Sequence, residues 1–184
     1  DSISSALRRA DAVLVSDYDK GLVTRDIAQA AIRAAGEKGI VSSANPKPRT
    51  LTHFERASAI TLNQQEAATA SGIEIDGVAR LEKAGRKLLA STQCAGLLIT
   101  RGAAGLSVFQ ASGDVAHIPA VESEVYDVAG AGDTVVSALT MALASGLDLV
   151  NAAAIANCAG GAVVRKVGVA VTTVDEILDL FNST

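Results

Sequence analysis

Gly130-Ala131-Gly132-Asp133-Thr134 is a run of small residues that closes on a carboxylate and opens a helix-patterned segment reaching Ser145. A turn of this kind leaves its backbone N–H groups bare at the positive end of a helix dipole. That suits an anion, and phosphate is the usual one. Asp133 in the same turn repels an anion that is merely held there. It fits a site in which the carboxylate faces an incoming hydroxyl while the N–H groups steady a moving phosphoryl group. Base and anion hole in one turn point to phosphoryl transfer. An ordinary tight turn, with Asp133 capping the following helix, explains the same tetrapeptide without any ligand.

Two further clusters carry polar groups at useful spacing. In Asn63-Gln64-Gln65-Glu66 the Asn can cap a helix while Glu at the third helical position completes a capping box. In Thr100-Arg101-Gly102-Ala103-Ala104-Gly105 the glycines permit turn conformations that other residues resist. Asp127, just upstream of Asp133, can bond loop N–H groups. Lys20 and Lys47 read as solvated loop lysines or as partners for a phosphate, for which an ammonium is a point charge. His53 and His117 lie far apart without motif partners, and no role is assigned to them.

The elements needed to position these residues are strands alternating with helices. Ala12–Ser16 is a short apolar run ending at Asp17, as a buried parallel strand would end. Further strands are expected at 40–43, 57–62 and 97–100, and a hairpin at 106–109 and 115–118. Helices are expected at 27–35, 64–71, 78–91, 132–145, 149–165 and 174–182. Such alternation implies βαβ units and a mainly parallel sheet flanked by helices, with ligands gathering beyond the carboxyl ends of the strands. Asp17, Asn63 and Thr100 each fall at or just past a strand end, which supports one active-site edge. No internal repeat or linker interrupts the pattern, so one domain is expected.

The bulk properties narrow the class. At 184 residues and 49% apolar, the chain is long enough for a real core and too apolar for disorder. No apolar run is long enough for a bilayer span, and no leader pattern is visible. A net charge of −4 with 3% aromatics argues against a nucleic-acid surface. The Arg8-Arg9 and Arg165-Lys166 pairs read as solvated helix ends, with a phosphate role as the alternative for the second. Cys94 and Cys158 are isolated, as buried free thiols in a reducing cytosol would be, so a cytoplasmic location is expected.

The string Asp127-Val128-Ala129-Gly130-Ala131-Gly132-Asp133 resembles the second signature of the ribokinase-like (PfkB) carbohydrate kinases, Asp-Thr-x-Gly-Ala-Gly-Asp, with Val128 where Thr is commoner. The resemblance implies a ribokinase-like α/β fold and ATP-dependent phosphorylation of a sugar or sugar phosphate, with Asp133 as base and Gly130, Ala131 and Gly132 as anion hole. It places ATP against Asn63, Gln64, Gln65, Glu66, Thr100, Gly102 and Asn157, with Arg101 a further phosphate partner. Mg²⁺ would be held through water by Asn63 and Glu66. Asp127 would help to hold a monovalent cation such as K⁺, in a loop closed near Gly168 and Thr172. For Asp127 a purely structural role, and for Asn157 a solvent-facing one, stay open.

Ser16-Asp17-Tyr18-Asp19-Lys20-Gly21 is similar to the heptose-phosphate kinases that supply ADP-heptose. In those enzymes Asp-Pro-Lys follows the next strand, whereas here Asn45-Pro46-Lys47 stands in its place. Within the resemblance Lys20 and Lys47 would meet a sugar phosphate. Because such kinases are longer, residues 1–184 are expected to be the carboxyl-terminal ATP-binding and catalytic part, lacking the amino-terminal sugar-binding and lid portion. A homodimer is expected of the full-length protein. A non-catalytic nucleotide-binding module and a nucleoside or vitamin kinase of the same superfamily are the rival readings.

Overall fold

The structure is a computed structural model that describes residues 2–121 and 125–183. Its helices are α1 (Ser2–Leu7), α2 (Arg25–Lys38), α3 (Gln64–Ser71), α4 (Val78–Thr92), α5 (Ala131–Ala144), α6 (Leu149–Val163) and α7 (Val174–Asn182). Its strands are β1 (Ala12–Ser16), β2 (Val41–Asn45), β3 (Ala59–Asn63), β4 (Gly96–Thr100), β5 (Leu106–Gln110) and β6 (Val115–Ile118). Short 3₁₀ turns lie at Leu51–Phe54 and Gly102–Ala104. The strands form a single six-stranded sheet in sequence order. β1 to β4 run parallel, and β5 and β6 form the expected antiparallel hairpin.

Both faces of the sheet are covered, which is why its central strands read as unbroken apolar runs. Strand alternation divides β4 cleanly. Leu97 and Ile99 join Ile32, Ile60, Leu62, Leu81, Leu88 and Phe109 on one face, under α2, α3 and α4. Leu98 joins Leu106, Val108, Val135, Leu139 and Ala156 on the other, under α5 and α6. Each fully buried Leu or Ile contributes about 2 kcal/mol. The small residues of α6, Ala152, Ala153 and Ala156, are fully buried. They let that helix lie close to the sheet and to α5.

Most boundaries fall where local chemistry puts them. Helix α2 starts at Arg25, earlier than the apolar periodicity suggests, because the Thr24 hydroxyl caps it by accepting from Ile27 N–H. Strand β3 starts at Ala59 because Ser42 and Ser58 exchange side-chain-to-backbone hydrogen bonds just before it. Lys166 is not simply solvated: its ammonium donates to Glu176 Oε2 and to the Val171 carbonyl, both at 2.8 Å, and ties the end of α6 to α7.

The parallel strands share a register that aligns their carboxyl ends. Ser16 faces Asn45 across β1 and β2, and Asn63 faces Thr100 across β3 and β4. Helix α5 packs against β1, β2 and β3. Its amino-terminal turn therefore stands over that same edge.

Candidate active site

The α5 turn begins at Gly130, whose φ of 79° lies in the left-handed region, where a side chain is strained. A Cβ there would lie at an ordinary contact distance, 3.5 Å, from Val169 Cγ1 in the neighbouring loop, so the backbone conformation and not crowding is what favours glycine. No side chain caps the helix. Ala131 N–H donates to Val128 O and Thr134 N–H to Gly130 O. The helix start leaves the N–H groups of Gly132 and Asp133 without intrahelical acceptors. That bare turn opens on a cleft of about 140 Å³ lined by Tyr18, Asn45, Lys47, Asn63, Glu66 and Thr100 as well as Gly130, Gly132 and Asp133.

Asp133 is gripped from β1. Ser16 Oγ donates to Oδ1 at 2.9 Å and the Tyr18 hydroxyl donates to Oδ2 at 2.5 Å. The donated bond and the carboxylate's charge together hold the Tyr18 phenol above its usual range. Neither partner was assigned a role from sequence, where Ser16-Asp17-Tyr18 served only as a subfamily marker. The available signal was position: both flank a strand end on the edge that the Asp133 turn also reaches.

Asn63 and Glu66 form a complete capping box. Asn63 Oδ1 accepts from Glu66 N–H at 2.8 Å, and Glu66 Oε2 accepts from Asn63 N–H at 2.9 Å. Glu66 Oε1 accepts from Lys47 at 2.7 Å. This bond chiefly, with further attraction from Glu66, Asp133 and Tyr18, keeps the Lys47 ammonium above its usual range. Asn45 turns its amide inward and donates to the Thr61 carbonyl at 2.9 Å and to the Thr61 hydroxyl at 3.1 Å.

Not every remaining candidate lines this cleft. Lys20 is exposed, and Lys20, Gln64, Gln65, Gly102 and Asn157 do not line it. Gln64 Nε2 donates to the Ile75 carbonyl. Asn157 does not simply face solvent, for its amide donates to the Pro119 carbonyl at 2.8 Å and pins the end of β6 to α6. Asp127 braces the α5 turn: Oδ1 accepts from Ala129 N–H at 2.9 Å and Oδ2 from Gly168 N–H at 3.1 Å. Those two donors hold its carboxyl below the usual carboxylate range. The Asp127–Gly168 bond joins the turn to the loop after α6, and Thr172 in that loop donates to Glu176.

No cluster of three or more His, Cys, Asp or Glu side chains able to hold a metal exists among the described residues. A metal caged by protein alone is therefore a poor fit. A mostly hydrated Mg²⁺ is a better one, since Glu66 and Asn63 oxygens that already accept one N–H each retain a lone pair for metal-bound water. Among the described residues no helix is long and apolar enough to cross a membrane.

A parallel sheet with this turn at its carboxyl edge defines a class, and comparison with known proteins agrees. The model of the pfkB family carbohydrate kinases matches residues 3–176, and the chain belongs to that family. It is 40% identical over 175 residues to the bifunctional protein HldE of Syntrophotalea carbinolica, covering 95% of this chain and 36% of that protein. It is 42% identical over 170 residues to the HldE protein of Geobacter metallireducens, covering 92% of this chain and 35% of that one. The chain thus spans about a third of the length of these relatives. Among solved structures, phosphofructokinase-2 from Escherichia coli in complex with potassium superposes with a TM-score of 0.84 at 18% identity, over 98% of this chain and 60% of that one. Arabidopsis thaliana ribokinase complexed with ribose and ATP gives 0.82 at 18% identity, over 98% and 59%. The fold is ribokinase-like.

Proposed function

We propose that the chain catalyses transfer of the γ-phosphoryl group of ATP to a hydroxyl of a sugar or sugar phosphate, with a heptose phosphate as the acceptor class. The observation that carries this reading is the Asp133 carboxylate beside the uncapped N–H groups of the α5 turn, in one cleft with Lys47, Asn63, Glu66 and Thr100. The heptose assignment rests on the Ser16-to-Gly21 string and is supported by the similarity to HldE proteins. In this reading residues 1–184 form the ATP-binding and catalytic part of a longer kinase.

Asp133 accepts the proton of the acceptor hydroxyl as its oxygen attacks phosphorus. The N–H groups of Gly132 and Asp133 offset charge on the transferring oxygens, a preorganised arrangement in which one donor is worth roughly 3 kcal/mol. Ala131 N–H is engaged by Val128 O within the turn. Lys47 adds a positive charge between Glu66 and Asp133, within reach of either a nucleotide or a sugar phosphate. Thr100 offers a hydroxyl to the phosphates at the end of β4. Mg²⁺, when bound with ATP, supplies charge neutralisation at the β- and γ-phosphates, and Asn63 and Glu66 are the residues that would orient its waters. A monovalent cation near the Asp127–Gly168 junction would add fixed positive charge behind the turn; ATP-dependent turnover measured with and without K⁺ tests this. A cytoplasmic location belongs to the same proposal, supported by the need for ATP and by the two buried free thiols, Cys94 and Cys158.

The test is ADP release by the intact protein over a panel of hexoses, hexose phosphates and heptose phosphates. ADP formation that depends on a sugar-phosphate acceptor supports the reading. ATP binding with no acceptor-dependent ADP contradicts it and leaves a nucleotide-binding module.

A further inference from the structure

The residues around Asp133 follow from strand geometry. Ser16 and Tyr18 are two residues apart on an extended segment, so they project to the same side. That is the side over which α5 packs. Asp17, between them, points away and is only 2% exposed, and its Oδ1 accepts from Asp19 N–H at 2.9 Å. This bond turns the chain directly after Tyr18. The pair then brackets a single carboxylate, Ser16 on Oδ1 and Tyr18 on Oδ2.

An Asp side chain in the first turn of a helix can rotate about two bonds, and one donor fixes neither its plane nor its tilt. Two donors on opposite oxygens fix both. Each oxygen keeps a second lone pair, so the grip leaves room for an acceptor hydroxyl. Tyr18 is 59% exposed and lines the cleft, whereas Ser16 lies half-buried beneath it. We infer that Ser16 and Tyr18 are the positioning residues of the catalytic base, fixing the Asp133 carboxylate in the orientation that meets the acceptor. The inference rests on the reading of Asp133 as base, and its contact geometry can be tested apart from that reading.

The test uses the intact protein with Tyr18→Phe, which keeps the ring and removes only the donor, and Ser16→Ala. With the acceptor that the wild type phosphorylates, kcat is expected to fall about 10- to 100-fold in Tyr18→Phe, with KM for ATP unchanged within about twofold. Full kcat in both variants overturns the inference and leaves the kinase reading standing. A ligand-free readout accompanies this. Tyrosinate absorbance in the wild type minus that in Tyr18→Phe isolates the Tyr18 phenol, whose pKa lies above the ordinary 10.0 through its bond to Asp133. Asp133→Asn is expected to move that titration down toward the ordinary range, and an unmoved titration overturns the inference. A wild type that phosphorylates no acceptor defeats the kinase reading, and the Tyr18 titration then decides the contact on its own.

Discussion

Lys47 Nζ lies 2.7 Å from Glu66 Oε1, so the loop after β2 is latched onto the carboxylate that also closes the α3 capping box. The lysine is 37% exposed and the glutamate 12%, so solvent screens the pair from one side only. Its contribution to stability is about 1 kcal/mol or less. The positive charge it brings to the cleft is the larger effect. Lys47→Met is expected to lower the urea midpoint slightly and to lower turnover by about tenfold or more. Parallel denaturation and initial-rate measurements check this, and unchanged turnover would assign Lys47 to the fold alone.

Asn45 stands where heptose-phosphate kinases carry Asp, and its amide donates to both polar groups of Thr61. A carboxylate has no N–H to give and would face the Thr61 carbonyl oxygen. Asn45→Asp is therefore expected to cost about 1–3 kcal/mol, read from urea denaturation. A variant as stable as the wild type would mean that the loop relaxes to let the carboxylate reach Lys47 instead.

Much of this site was legible in the residues, and the illegible part has a physical cause. Asp133 with its glycines, and Asn63 with Glu66, are short-range patterns whose members sit within one turn of each other. The alternation of strands and helices placed their strand ends on one edge, and the parallel sheet bears that out. What stayed hidden was contact between distant segments. Ser16 and Tyr18 meet Asp133 across more than a hundred residues of chain. The Lys47–Glu66 pair likewise depends on β2 and β3 being neighbours. The Asn157 amide was ambiguous for the same reason, because its partner, the Pro119 carbonyl, is a backbone group that no sequence pattern marks.

Asp127 holds two N–H groups, of Ala129 and of Gly168, and so braces the turn that carries Asp133. Asp127→Ala removes both acceptors. The expected outcome is faster amide exchange at Ala129 and Gly168 with the exchange of β3 and β4 unchanged, together with a loss of turnover. Unaltered protection at those amides would show that the turn is held by other contacts.

Glu176 closes the capping box of α7 and accepts from Lys166, Thr172 and Thr173. Lys166 is the leading cause, followed by Thr173 N–H and the Thr172 hydroxyl, and together they bring its carboxyl from 4.5 down to about 2. A folded-state pKa below the unfolded one stabilises the fold above about pH 4.5, and that stabilisation is lost as the pH falls toward 2. Glu176→Gln is expected to lower Tm near neutral pH and to flatten the decline of Tm through this acid window. Parallel Tm–pH curves for the two proteins would contradict the assignment.

The most direct measurement compares ATP binding by calorimetry with acceptor-dependent ADP release in the wild type and in Asp133→Asn. Asparagine keeps the size of the side chain and can still accept one of the two bonds, from Ser16 or from Tyr18, at its single oxygen, but it cannot take a proton from the acceptor. The expected result is ATP affinity within about threefold of the wild type, with turnover reduced by about 10²- to 10⁴-fold. An Asp133→Asn protein that turns over like the wild type would contradict the assignment of Asp133 as the base.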